Sequence, residues 1–452
     1  MSKWISQQKV SFRKQLPGGE LEQFEQLFRL AFNGFRVFAI TPGRMAREKD
    51  GYAVRNSHWM RLVVCALVTL AWIALVRSFF MEKRAAQITG IANNIQLITN
   101  TIALSVAWIG PQLKASELQA IFDGFLVIDR ELASYRLPGG HLLTRAKFLT
   151  NYVLVLLGLA LLVVYDGFVS FGKPDTVEVW YWVTTQVPFV VQGMAFFQAF
   201  LLISWLLERF QHLNALVEQY YREGIGFSPK QVATAFATPI KLAREGHRGD
   251  VVLDESSTGR RELADDLQIL AIVSRTIDLA QKIESYFGPL FLTVYTALFA
   301  VTTIQSYYCY LHLNAIDQQQ GLTFESLVLS GAIIVANVVT IVALPYACER
   351  VEHESKLLMS FLSKLSMSPS ARMAQHSSIW FSNLIASVRF SALGFFTVNY
   401  NMLSGLVAGL VTYLIIFIQF NSMVPSDKTD LHTSRSKSTE NVMLSLENKK
   451  SW

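Results

Sequence analysis

The sequence predicts an all-α polytopic membrane protein. Seven transmembrane helices are expected, with the N-terminus cytoplasmic, the C-terminus extracellular and several helices extended into a cytoplasmic anchor. Three observations predict this. First, 52% of the 452 residues are hydrophobic and 16% charged, with a mean hydropathy of +0.32, whereas soluble domains carry roughly a quarter charged residues. Second, seven apolar stretches approach the ~20 residues that a span needs: 59–80, 88–110, 148–171, 183–207, 286–311, 325–348 and 397–420. Third, Lys and Arg alternate between the connecting segments. The N-terminal segment and the 111–147, 208–285 and 349–396 segments carry about 30 of the 40, which assigns that side to the cytoplasm by the positive-inside rule. This is the reverse of a G-protein-coupled receptor.

The elements follow in order. Residues 1–58 are basic and amphipathic. They lack the apolar core of a signal peptide, so the first span is expected to act as the signal. Leu21, Phe24, Phe28, Phe32 and Phe35 form an apolar row at helical spacing, closed by the turn signal Thr41-Pro42-Gly43. This helix either lies on the inner membrane face or packs against the cytoplasmic end of the bundle. Spans one to four occupy 59–207, and the fourth continues helically through Leu206–Tyr221. Leu263–Ser285 leads into the fifth span, and Glu349–Leu365 extends the sixth. The polar, Gly- and Ser-containing stretch at about 240–262 reads as a flexible loop. Trp380–Phe396, half-apolar and interrupted by Asn383 and Arg389, reads as a helix leading into the seventh span. The Ser-, Lys-, Asp- and Asn-rich tail from Asn421 to Trp452 is expected to be disordered. No internal repeat is present.

Several function classes are excluded. Metalloprotease, hydrolase, Walker and dinucleotide motifs are absent, so neither an enzyme nor a cofactor is expected. Cys65, Cys309 and Cys348 are odd in number, and two lie deep in apolar segments, which disfavours a disulfide framework. The net charge of +6 fits cytoplasmic loops, and no Lys/Arg run is long enough to suggest nucleic-acid binding. Cys348, Glu349, His353 and Glu354 cluster where the sixth span ends. Their spacing matches no common zinc pattern, so they read as interfacial charges and no metal is expected.

Polar residues inside the spans are the informative exceptions. Asn93, Gln96 and Asn100 form one stripe on the second span. Such a stripe must face protein or a watery cavity, and it serves either as helix glue or as the wall of a ligand site. The fifth span places Gln305, Tyr308 and His312 on one face. The third span ends with Tyr165 and Asp166, and the fourth begins with Trp182 and Gln186. Aromatics at these depths also fit an interfacial belt. Yet four helices bring amides or acids beside aromatics to one membrane level, which suits an outer-facing pocket for a small polar ligand.

The last span differs. No residue from Ser391 to Met423 is charged, and small residues recur at Ser404, Gly405, Ala408 and Gly409, allowing close helix approach. It ends in Val411–Phe420, a Thr-Tyr pair, five apolar residues including Ile416, then Gln-Phe. An unpaired amide in hydrocarbon is costly, so Gln419 needs a partner helix or pore water. Plain anchoring by small-residue packing is the alternative reading.

That string closely resembles the C-terminal signature of insect gustatory receptors. Phe390–Leu403 is similar to the family's entry into the last helix, Glu208–Asn214 resembles the helix below the fourth span, and Phe38–Pro42 resembles a weak N-terminal pattern. The resemblance covers essentially the whole chain. It implies a tetrameric, ligand-gated, nonselective cation channel passing monovalent cations and calcium. Each subunit, alone or mixed with related subunits, would bind a small polar ligand and contribute one pore helix within the membrane lipid. By carry-over, Gln419 and Phe420 match the gate positions, Ile416 lies in the pore-lining run, and Thr412 and Tyr413 open the motif. Leu414 stands where the general sugar-receptor branch has Glu, so the resemblance is closer to the fructose-type and nucleoside-type branches. A bitter-compound subunit or a co-receptor remains an alternative. A metabotropic receptor would need a cytoplasmic C-terminus, and a transporter would show repeated halves or broken helices.

Overall fold

The computed structural model describes residues 19–48, 51–56, 58–81, 88–133, 135, 145–171, 179–222, 255–317, 324–366 and 388–423. Nine helices and one hairpin make up these residues. Helix α1 (Gly19–Arg36) is followed by β1 (Gly43–Glu48) and β2 (Gly51–Asn56), an antiparallel pair registered from Gly43 opposite Asn56 to Glu48 opposite Gly51. Then come α2 (His58–Met81), α3 (Ile88–Leu113), α4 (Ala115–Ala133), α5 (Arg145–Phe171) and α6 (Val179–Arg222). The last three are α7 (Glu255–Asp317), α8 (Phe324–Ser366) and α9 (Tyr400–Met423). Apart from the hairpin and the non-helical residues 37–42, 114, 135 and 388–399, the described chain is helical.

Six helices are long and apolar enough to cross a membrane: α2, α5, α6, α7, α8 and α9. Helix α3 falls short in hydropathy because its Asn93, Asn94, Gln96 and Asn100 dilute the apolar residues. Its 26 residues nevertheless span about 39 Å at 1.5 Å per residue, and it packs within the bundle against α2, α6 and α7. The amides are tolerable there because protein, rather than lipid, surrounds them.

Three helices far exceed a membrane's ~30 Å hydrocarbon core. Helices α6, α7 and α8 run for 44, 63 and 43 residues. Their charged ends associate with α1 and α4 at one end of the bundle. Helix α1 buries Leu27, Phe28, Phe32 and Phe35. Phe28 lies 4.2 Å from Phe122 and 5.7 Å from Trp205, ring centre to ring centre, and Phe35 packs near Tyr152 and Phe197. Of the two sequence expectations for this helix, its described residues show packing against the bundle; the side chains of Leu21 and Phe24 lie outside the description.

Arg209 is the deepest charge at this end, only 1% exposed. It donates from Nε and Nη2 to Asp129 at 2.9 and 2.7 Å, and from Nη1 to Glu208 at 3.3 Å and to the Trp205 carbonyl at 3.0 Å. Its guanidinium also lies over the Phe125 ring. Arg275 pairs with Glu131 nearby. Asn214 donates to the Glu354 carboxylate and backbone carbonyl, tying α6 to α8. Glu354 therefore bridges helices, and among the described residues no cluster could hold a metal.

Three expectations need correction. The sequence marks 111–147 only as a connection, yet Ala115–Ala133 is a helix burying Leu118, Ile121, Phe122, Phe125 and Ile128. Residues 255–262 of the expected loop are helical; once α7 has formed, adding turns to it costs little. Residues 240–254 of that loop, and 424–452 of the expected disordered tail, lie outside the described residues, and the helix reaches Met423. The described part of the expected lead-in helix, 388–396, is instead a turn, and so are residues 397–399 at the start of the expected seventh span. Leu393 and Gly394 adopt left-handed conformations (φ 54° and 80°), and Ser391 gives both its N–H and its hydroxyl to Glu284. This anchors the chain on α7 before α9 begins at Tyr400, whose N–H donates to Glu349.

Removing one member of a buried ion pair leaves the other uncompensated, typically at about 3–5 kcal/mol, whereas an apolar pair of similar volume is near neutral. Arg209→Met is therefore expected to lower the melting midpoint of the solubilised protein markedly. The double variant Arg209→Met, Asp129→Leu should recover much of the loss.

Candidate functional site

A cavity of about 270 Å³ opens where α3, α5, α6, α7 and α8 converge, close to the ~300–1,000 Å³ common for small-molecule pockets. The polar stripe of α3, Asn93, Gln96 and Asn100, lines one side. Asp166 contributes from α5, Trp182 and Gln186 from α6, and Gln305 and Tyr308 from α7. Eight of the ten residues singled out in the sequence thus meet at one cavity. Helical spacing explains the convergence. Residues three or four apart share a face, and α5 and α6 set Asp166 beside Trp182 and Gln186.

Tyr165 and His312 do not line it. Tyr165 is displaced about 100° around the helix from Asp166, and its hydroxyl donates to the Glu325 carbonyl at the start of α8 at 3.4 Å. His312 lies a turn beyond Tyr308, past the end of the cavity.

The sequence reading missed Gln192, Phe189 and Phe196 on α6 and Asn337 and Thr340 on α8. Gln192 and Asn337 are 6% and 2% exposed. Each is a lone amide in the middle of an apolar run, and that isolation was the available signal.

The wall has two kinds of polar group. One kind is committed within the protein. Asp166 Oδ2 accepts from Trp182 Nε1 at 2.7 Å and from Gln186 Nε2 at 2.6 Å. Trp182 also stands edge-on to Phe171, and Tyr308 donates to Asn93 Oδ1. Gln192 donates to the Asn100 carbonyl at 3.0 Å. The other kind, the side chains of Gln96, Asn100, Gln305 and Asn337, has no protein hydrogen-bond partner among the described residues. Among the described residues, no Lys, Arg or His lines the cavity.

Helix α9 stands apart from this cavity. None of its apolar window is buried, against 72% for α6 and 56% for α7. Helix α5 is almost as open, at 6%, but its exposed face over Val153–Phe168 is aliphatic and aromatic, as a lipid-facing helix requires. The exposed face of α9 instead mixes Ser404, Gly405, Thr412, Tyr413 and Gln419 with Val407, Val411 and Ile415. Ile416 and Phe420 are also exposed. Helix α9 rests chiefly on α7. A Cβ on Gly409 would come within 3.2 Å of Phe299, so the small residue permits close contact. Tyr413 meets Phe299 edge-on at 5.8 Å, and Phe417 packs on Tyr307 at 5.5 Å. Tyr307 and Tyr308 are consecutive on α7. One faces α9 and the other faces the cavity.

The model of a family described as 7tm chemosensory receptor matches residues 28–424. The chain belongs to that family. This is a receptor family rather than an enzyme family, and the receptor is a multi-pass membrane protein. A relative described as putative gustatory receptor 2a of Drosophila melanogaster is 23% identical over 429 residues, covering 85% of this chain and 94% of its own. The insect olfactory receptor OR5 from Machilis hrabei shares the fold. One structure of it gives a TM-score of 0.53 at 14% identity, covering 88% of this chain and 99% of that one. Another, in complex with eugenol, gives 0.58 at 13%, covering 88% and 98%.

The carboxylate of Asp166 holds two donors that would otherwise be left unmatched, each at a cost of about 1–3 kcal/mol when buried. Asp166→Ala is therefore expected to lower the receptor's melting midpoint, and Asp166→Asn, which keeps an acceptor oxygen, to lower it less. Thermal unfolding of the purified receptor checks the order.

Proposed function

We propose that this receptor is a gustatory receptor acting as a ligand-gated, nonselective cation channel. It opens when a small polar tastant, a sugar such as fructose or a nucleoside, occupies the five-helix cavity. The observation that carries this reading is the combination of an internal polar cavity with an uncharged last helix whose exposed face is partly polar. A simple anchor helix has no use for exposed Thr412, Tyr413 and Gln419. Four copies of α9 around an axis would cover that face and enclose an apolar pore that gates by dewetting. Gln419 and Phe420 would stand at its mouth with Ile416 in its lining, while Thr412 and Tyr413 support packing.

The charge distribution supports a cytoplasmic N-terminus and an external C-terminus, and with that orientation the cavity opens in the outer half of the membrane; the proposed location is the plasma membrane of sensory neurons. Monovalent cations and calcium are the permeant ions, since α9 carries no charged ring to select among cations. Leu414 favours the fructose-type and nucleoside-type branches over the general sugar receptors. The assembly is a homotetramer or includes related subunits. The consecutive Tyr307 and Tyr308 supply a mechanical route, because a ligand that shifts Tyr308 must also move the ring on which Phe417 rests.

Whole-cell recording from cells expressing this chain alone, with G-protein signalling blocked, tests the reading. A rapid cation current to fructose, another sugar or a ribonucleoside is expected. Gln419→Ala and Phe420→Ala should alter basal current or open probability at unchanged surface expression. Wild-type silence at confirmed surface expression would contradict a self-sufficient channel. Unchanged currents in both variants would remove these residues from the gate.

A further inference from the structure

We propose that the four uncommitted amides, Gln96 and Asn100 on α3, Gln305 on α7 and Asn337 on α8, are the ligand-contacting hooks of the cavity, and that they select a neutral polyhydroxylated ligand. Asp166, Trp182, Gln186 and Asn93 are positioning residues. This deepens the reading of the cavity as a tastant site and rests on it.

The division follows from the hydrogen bonds. The positioning group is engaged internally, with Asp166 Oδ2 holding Trp182 and Gln186, and Asn93 receiving the Tyr308 hydroxyl. The four amides line the same cavity, yet have no protein partner among the described residues. Asn337 and Asn100 are 2% and 7% exposed, and polar groups this deeply buried are rarely left without hydrogen bonds. Their partners must come from whatever fills the cavity.

The chemistry of the amide defines that occupant. Each amide presents a carbonyl acceptor and an NH2 donor at one place. A hydroxyl also both donates and accepts, so a ring bearing several hydroxyls matches several amides at once. A carboxylate or phosphate would leave the carbonyl oxygens unmatched, would face Asp166 and would find no cation among the described residues of the wall. An amine would leave the NH2 groups unmatched. Trp182, Phe189 and Phe196 supply flat apolar faces for the C–H side of such a ring.

The test is equilibrium binding of D-fructose, adenosine and, as a cationic comparison, tryptamine to the purified full-length receptor in lipid nanodiscs. Gln305→Met and Asn337→Leu keep the side-chain size and remove the amide. Each is expected to weaken fructose or adenosine binding about tenfold or more, as loss of two hydrogen bonds implies. The ligand-free melting midpoint should stay unchanged or rise. Asn337→Asp keeps an acceptor but removes the donors, and should weaken binding as well. Undiminished affinity in these variants would overturn the proposal while leaving the receptor reading intact. A drop of several degrees in the ligand-free midpoint of both apolar variants would also overturn it, by showing the amides to be structural. Wild-type binding of tryptamine alone would overturn the ligand class, and binding of none of the three would overturn both the hooks and the sugar or nucleoside reading.

Discussion

A polar side chain within the membrane must find a polar partner or a watery space, and this constraint organises the receptor. Asn93, Gln96, Asn100, Asp166, Gln186, Gln192, Gln305 and Asn337 sit on helices that are otherwise apolar. None of them can face lipid without a desolvation cost. Their helices therefore arrange the polar faces inward. Part of the polar set pairs within itself, through Asp166 with Trp182 and Gln186 and through Asn93 with Tyr308. Both that part and the remainder line a cavity. A polar cavity follows from the same rule that assembles the bundle.

Helix α7 carries this arrangement to the rest of the molecule. It supplies Gln305 and Tyr308 to the cavity, Phe299 and Tyr307 to α9, and Glu284 to the turn that precedes α9. A second aromatic path runs in the same direction. Phe196 of the cavity wall stands edge-on to Tyr295, which stands edge-on to Phe396 of that turn. At the charged end, Arg209 with Asp129 and Asn214 with Glu354 tie α4, α6 and α8 together. The fixed end gives α7 something to move against, while the open side of α9 leaves that helix the least constrained by its own chain.

The sequence revealed most of this because amides are conspicuous in apolar runs. The Asn93, Gln96 and Asn100 stripe and the Asp166, Trp182 and Gln186 group could be read directly. Asn337 and Gln192 could not, since a single amide carries no periodicity. Tyr165 and His312 shared membrane depth with the cavity but not its direction, and depth is easier to read than rotation. Helix α4 is hard to see in the sequence because its buried residues, Leu118 to Leu132, are spaced around an amphipathic helix and form no uninterrupted apolar stretch. The turn at 388–399 depends on Leu393 in a left-handed conformation and on a carboxylate a hundred residues away. Neither leaves a local mark. In α1 the spacing of Phe28, Phe32 and Phe35 fixed the buried face without telling lipid from protein, which only tertiary contact decides.

The central claim is that α7 links the cavity to the last helix. Phe417 touches Tyr307 but does not line the cavity, so Phe417→Ala separates binding from opening. The measurement is the fructose or adenosine affinity of the purified variant, compared with its dose–response for current. Affinity within about twofold of wild type, with opening impaired about tenfold, is the predicted result, in the range of typical coupling energies. An unchanged dose–response at unchanged affinity would contradict the claim.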